Sequence, residues 1–502
     1  MKTAEEFRKE VYEKQGAAVA ARHKRNRRSA LCVSLALVVM VCGVGVPRLL
    51  SQKNNDALRP RLLQVGAPKN PVQSAEDEAL VQELKAAIAA ENQAKIDALK
   101  DKFDQDVRER AEFAGDVPLD EKFAVDLKRF ATESAAKAQL DAAENGCFSP
   151  ISLYYNFALL TAGARGDTAD GLNELLLFDP ENYPEQCRRY YAQHYQDKAD
   201  SVFRLENSLW LDSAHTYSEN FIQQAEEDYY SYLFLVNFED PTIADDMSKW
   251  VSDNTGGRVT PKFELAKDHQ ASILNSLDYR TAWDCDFDPA ETTAGTFTKA
   301  DGTTVTADYM HTTTGEIVYT FEGEDGAMFT AALIPLTNYD TMVFVLPDEN
   351  HAESLGDVFT NESLFDAAFF HRFRNDSFHE STLAEINWSI PKFEIKGEHD
   401  FADMLPQIAR DKVLADFRNM GNVELFVYKV QQDIGFGIDE TGIGGVSSVG
   451  EKSASTVHPD SVPVEMNLNR PFGFAVISRS ATTGGGVESV VYCGVCGDPT
   501  QN

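Results

Sequence analysis

The sequence predicts an α+β domain with a large sheet content. Three observations carry this. From Ser201 onward strand-like and helix-like patterns alternate, which places strands and helices in one mixed domain. Residues 328–336 and 342–346 are apolar runs spaced as paired strands, and residues 386–395 alternate well between apolar and polar. Residues 154–163 are apolar almost all round, so this helix is buried rather than laid on a surface.

The chain has 502 residues, 43% of them hydrophobic and 10% aromatic, enough to bury a sizeable core. Its formal net charge of −34 argues against nucleic-acid binding, which needs basic patches. The basic residues concentrate at the N-terminus: residues 1–28 carry nine Lys/Arg against four Asp/Glu, with a cluster at 22–28. Residues 29–46 follow without a single charge, near the lower length limit for a membrane-spanning helix. The basic flank stays cytoplasmic, so the expected arrangement is single-pass in the cell membrane. Residues 1–28 form a cytoplasmic basic tail, 29–46 a transmembrane signal-anchor, 47–114 a tether and helical stalk, and 115–502 the outward-facing main domain. The alternative is a cleaved signal peptide and a secreted domain.

Taken in order, residues 47–73 are polar with four prolines and read as a tether. Residues 74–112 place Leu84, Ile88, Ile96, Leu99, Phe103 and Val107 at mostly helical spacing. Gly115 to Pro118 breaks the pattern. Phe123, Leu127 and Phe130 then share one helix face, and a short strand at 145–148 leads into the buried helix. A turn follows at 164–168, with Thr168 or Asp167 expected to cap a helix at 172–177. Strands are expected at 202–211, 233–238 and 271–279, and helices at 219–230 and 245–254. Pro335 falls near a strand end, where its missing donor is tolerated. Strands at 423–434 and 472–478 flank some thirty residues without an obvious pattern, which suits a functional or exposed loop.

These landmarks resemble the serpin family. Phe148-Ser149-Pro150-Ile151-Ser152 is similar to that family's entry to its buried helix, and 162–168 to the turn after it. Residues 250–259 resemble the end of the helix crossing the main sheet, with its terminating turn. Leu274-Asn275-Ser276, with Trp283 and Phe287, resembles the central strand and the breach tryptophan. Ile390-Pro391-Lys392-Phe393, Asp439-Glu440-Thr441-Gly442, Asn469-Arg470-Pro471-Phe472 and Asp498-Pro499-Thr500 fit as well. The resemblance spans about 380 residues. It implies a large central sheet, further sheets, about eight or nine helices and an exposed reactive-centre loop at about 440–468. It also implies the function: a serine protease, sometimes a cysteine protease, cuts the loop, is held as an acyl-enzyme, and is dragged as the loop enters the sheet. Such an inhibitor is not an enzyme and needs no metal or cofactor.

The loop's own residues suit that part. From Thr441 to Gly450 there is no proline and no charge, either of which would oppose entry into a sheet. The hinge implied by the resemblance is Glu440, Thr441, Gly442, Ile443, Gly444, Gly445, Val446 and Ser447. Period two puts Ile443, Gly445, Ser447, Val449, Glu451 and Ser453 on one face. Ile443 departs from the small hydroxyl residue usual at the first insertion point. Counting from Glu440 places the reactive bond at Thr456–Val457; counting back from Pro471 places it at Asp460–Ser461, because the loop is four residues longer than the common pattern. Small residues around Thr456 favour an elastase- or subtilisin-like target. The resemblance also places Ser149, Ser152 and Asn275 in the buried network controlling sheet opening, with Gln432 where a histidine is usual, so this site does not titrate near neutrality. Together with the anchor, these features describe a membrane-anchored, extracellular inhibitor of bacterial type. The alternative is a non-inhibitory binding or scaffolding protein of the same fold.

Other signals carry less. Cys493 and Cys496 have redox-motif spacing but sit in a strand pattern, where residues three apart point to opposite faces. Cys147 pairs with one of them only if their strands are neighbours. Asp284, Asp286 and Asp288 imitate a calcium loop, but Pro289 replaces the required glycine.

Overall fold

The computed structural model describes residues 63–66 and 119–501, apart from 178, 198–200, 267–268, 324–325, 371–380, 423, 428, 446–461 and 480–486. All described residues belong to one compact unit. The expected membrane span at 29–46 and the helix at 74–112 lie outside them. Among the described residues, no helix is long and apolar enough to cross a membrane.

In chain order the first elements are β1 (Leu63–Gly66), α1 (Glu121–Ala138), β2 (Gly146–Phe148), α2 (Pro150–Gly163), α3 (Gly166–Leu176) and α4 (Tyr183–His194). There follow β3 (Gln196–Asp197), β4 (Ser201–Asp212), α5 (Glu219–Asp228), β5 (Ser231–Val236), α6 (Ile243–Asn254) and β6 (Ala271–Ala282). The middle of the chain gives β7 (Thr293–Thr298), β8 (Thr304–Glu322), β9 (Met328–Pro335), β10 (Thr341–Pro347), α7 (Leu355–Thr360) and α8 (Glu362–Phe369). Next come β11 (Ser381–Pro391), β12 (Phe393–Asp400), α9 (Gln407–Arg410), β13 (Gln431–Asp439) and β14 (Gly442–Ile443). The chain closes with β15 (Val462–Asn467), β16 (Phe472–Arg479) and β17 (Val487–Cys496).

Two sheets organise these elements. The first has eight strands in the order β1-β5-β4-β6-β14-β13-β12, with β3 on β4. The second has nine, in the order β15-β11-β8-β9-β10-β16-β17-β2, with β7 on β8. Alternation in β13 buries Gln432, Ile434, Phe436 and Ile438 on one face. Phe436 stacks on Phe474 of β16 at 4.7 Å between ring centroids, and Phe393 of β12 meets the same ring at 5.5 Å. These aromatic contacts join the inner faces of the two sheets. The helix α2 also packs inside, against β6 and β17. Its Pro150 stands in the first turn, where no donor is needed, and Ser149 caps it by accepting from Ser152 N at 3.3 Å.

Several expectations change. The strand expected at 423–434 begins only at Gln431 and runs to Asp439. Leu425, Val427 and Val430 instead pack their side chains against the core from an irregular segment, and Val427 N finds Ala409 O at 2.9 Å. The helix expected at 172–177 starts at Gly166 without a side-chain cap. Thr168 lies inside the helix, two residues past its start, and its hydroxyl accepts from Asp416 N at 3.0 Å instead. Within the expected tether, Leu63–Gly66 form β1, which pairs antiparallel with β5 and is the edge strand of the first sheet. The strands of Cys147 and Cys493 are neighbours, with Cys147 opposite Gly494, yet among the described residues all five cysteines are buried and none forms a disulfide. Asp288 has a structural use: its carboxylate accepts from Ala290 N at 2.9 Å and starts a short turn.

Candidate functional site

The site begins where β13 ends. Glu440 and Thr441 form a two-residue turn, and the chain doubles back so that Gly442 and Ile443 enter the first sheet between β13 and β6. Ile443 lies opposite Ile438 on one side and Thr281 on the other, and is 1% exposed. Gly442 has φ +146°, and a Cβ there would stand 2.1 Å from Thr281 O, so only glycine fits this close approach. The larger residue at 443 is thus seated in the sheet, with its branched side chain on the core face.

Two contacts hold the turn. Trp283, fully buried just past β6, donates its indole N–H to Asp439 O at 2.7 Å. Glu440 accepts from Thr292 Oγ1 at 2.7 Å and from Lys392 Nζ at 3.2 Å. Burial pushes the Glu440 carboxyl up, but these two partners outweigh it and hold it below its ordinary value.

A second group lies about eight residues down β6, roughly 26 Å at the strand rise. Gln432 accepts from Ser149 N at 2.8 Å and returns a bond from Nε2 to Ser149 O at 3.0 Å. Ser152 donates to Asn275 Oδ1. Asn275 in turn donates to Asn207 Oδ1 at 2.6 Å, and Asn207 to Tyr229 O at 2.8 Å. The structure therefore brings Ser149 to Gln432 and Ser152 to Asn275, both at the start of α2. Asn207, which the sequence reading missed, ties Asn275 across to β4.

The third group was not anticipated at all. Asp278, fully buried on β6, accepts from Arg204 of β4, from Arg280 at 3.0 Å and from Arg258, which follows the turn after α6. Burial alone would raise the Asp278 carboxyl, but Arg258, Arg204 and Arg280 outweigh it and keep it below the usual range. Arg258 also points Nη1 at Gly444 O, 3.5 Å away. Residues 446–461, and so Val446, Ser447, Thr456, Val457, Asp460 and Ser461, lie outside the described residues.

Comparison with known proteins agrees with this architecture. A family model described as Serpin (serine protease inhibitor) matches residues 120–484. Alpha-1-antiproteinase 2 of Equus caballus is 27% identical over 396 residues, covering 76% of this chain and 89% of the relative. The native-state crystal structure of the thermophilic serpin Tengpin superposes with a TM-score of 0.61 at 22% identity, covering 76% of this chain and 96% of that one. A structure of thyroxine-binding globulin with thyroxine gives 0.57 at 19% identity, covering 78% and 100%.

Proposed function

From the premise that the chain belongs to the serpin family, whose members are generally protease inhibitors rather than enzymes, we propose that it traps extracellular serine proteases by suicide inhibition. The observation that carries this is the hinge. Gly442 and Ile443 are already hydrogen-bonded between β13 and β6, so the continuation of the loop has a strand-shaped path to follow. In the proposed cycle a protease cuts Thr456–Val457, or else Asp460–Ser461, and is held as an acyl-enzyme. Residues from Gly444 onward then lengthen β14. Each added residue exchanges solvated backbone groups for ladder bonds, roughly 1 kcal/mol apiece, and buries the small core-facing side chains. The sum is set against distortion of the protease's active site.

Elastase- or subtilisin-like enzymes are the favoured targets, on the small residues around Thr456. We place the domain outside the cell, tethered in the membrane by residues 29–46 with 1–28 inside, in a member of bacterial type. The uncharged run behind a basic cluster supports that reading, with secretion as the alternative. Gln432 supports a sheet-opening control that does not titrate near neutrality.

A second reading is a binding or scaffolding protein whose loop is merely cut. The longer loop and the bulky Ile443 favour it. The deciding experiment mixes the purified chain with pancreatic elastase and with subtilisin and follows denaturing gels and the mass of the C-terminal peptide. Trapping gives an SDS-stable complex and a peptide beginning at Val457. Clean cleavage by both enzymes, with no complex and no gain in thermal stability, selects the binding protein.

A further inference from the structure

Three residues step down from the Ser152–Asn275 pair into a cavity. Asn156 stands one turn beyond Ser152, on the same face of α2. Ile273 stands two residues before Asn275, on the same face of β6. Leu209 of β4 lies opposite Ile273 across the ladder. The cavity they line measures about 280 Å³. That is near the lower end of the usual range for small-molecule pockets, roughly 300–1,000 Å³. Phe, Leu, Met and Val side chains from the segments that precede β6 and β13 close the other walls.

Two acceptors in this apolar lining lack a donor. Asn156 is 7% exposed, and no donor of the protein reaches its Oδ1. The same holds for Oε1 of Gln270, which lines the cavity just before β6 begins. A buried carbonyl oxygen without a donor destabilises a fold, so two of them on the wall of one cavity call for a reason. The neighbouring polar groups do not supply it. His269 Nε2 is bonded to Ser272 Oγ at 2.7 Å, and Lys412 Nζ stands over the Phe426 ring at 5.7 Å.

We propose that this cavity binds a neutral, largely apolar small molecule that carries a hydroxyl group, such as an aromatic or long-chain alcohol. The apolar walls take its body. Asn156 and Gln270 take its hydroxyl, which donates and accepts and so suits either end of a side-chain amide. The charged lining residues exclude an ion as the natural ligand. Lys412 and Lys429 are exposed at the rim together with Glu264 and Glu424, so the rim offers no net field of either sign. Binding there does not depend on protease trapping.

Phenylnaphthylamine, a neutral dye that brightens in apolar surroundings, serves as the probe for the full chain. One saturable site is expected, at least about tenfold tighter than for anilinonaphthalene sulfonate, the same ring body with a negative charge. Naphthol should displace the dye about tenfold more strongly than methoxynaphthalene, which has no donor; that factor is the weight of one hydrogen bond. In a chain carrying both Asn156→Leu and Gln270→Leu the naphthol preference should vanish. Urea unfolding of that chain should show no loss of stability, because the unpaired acceptors are gone. Ile273→Trp fills the cavity and should abolish the saturable signal. The proposal is overturned by the lack of a saturable dye site in the parent, or by sulfonate binding as tight as that of the neutral dye. A naphthol preference that survives the double substitution overturns it too, as does full dye binding to a folded Ile273→Trp chain. If Ile273→Trp does not fold, the naphthol comparison decides alone.

Discussion

The indole N–H of Trp283 donates to the main-chain carbonyl of Asp439 at 2.7 Å, tying the end of β6 to the root of the loop. Trp283 is buried and Asp439 half-buried beside the turn that sends the chain back into the sheet, so the bond fixes where that turn stands. Replacing Trp283 with Phe keeps an aromatic body and removes the donor. The expected loss is about 1 kcal/mol, the net weight of one hydrogen bond at a half-buried acceptor. Urea unfolding measures it, and an unchanged midpoint would mean the bond does not hold the turn.

Ile443 offers a direct test of the sheet path. Ile443→Glu puts a charge where the side chain is 1% exposed, between Thr281 and Ile438. The variant should fold, because the loop can remain outside, but should be cut by a matching protease without forming a stable complex. Gly442→Ala should act alike through its clash with Thr281 O. Denaturing gels that still show full complex with Ile443→Glu would exclude insertion along this path.

Asn207→Ala removes the partner of Asn275 in a buried setting and leaves Tyr229 O only the longer bond from Ser231 Oγ at 3.4 Å. Destabilisation of roughly 1–3 kcal/mol is expected. Because Asn275 also accepts from Ser152, the loss should be smaller in a Ser152→Ala background, a coupling that a double-mutant cycle reads.

The acid response should come from His399 and not from Gln432. Burial lowers the His399 pKa below its ordinary 6.5, against the opposing effect of Cys147 O. A depressed histidine is neutral in the fold, so its contribution is complete above about pH 6.5 and is lost as pH falls toward the folded value. Thermal unfolding between pH 8 and pH 5 should show a decline, and His399→Gln should flatten it. Gln432→His would add a second such group, since a protonated ring cannot accept from Ser149 N.

Much of the fold was legible because alternation and all-round apolarity report burial directly. β4, β6, β10 and β16 fall within one to three residues of their expected bounds. The stretch at 423–430 misled because Val, Tyr and Phe also suit an irregular segment packed on a core. In the site, Ser149, Ser152, Asn275, Gln432 and Trp283 could be singled out through motifs. Asp278 could not: one acid inside an apolar strand has no pattern, and its arginines come from three places in the chain. Asn207 was hidden likewise in a strand read only for its apolar residues.

The loop's two ends belong to different sheets: β14 pairs with β13 and β6, whereas β15 lies parallel to β11. Everything after the loop stays woven into the second sheet, with β16 seated between β10 and β17. A nick anywhere between β14 and β15 therefore sheds no piece of the molecule. It turns one polypeptide into a two-chain particle of the same composition and nearly the same volume. What changes is the wiring: the upstream end loses its moorings on the far sheet and keeps only those on the first. A sizing column would miss the event, and only unfolding the particle would separate its two halves.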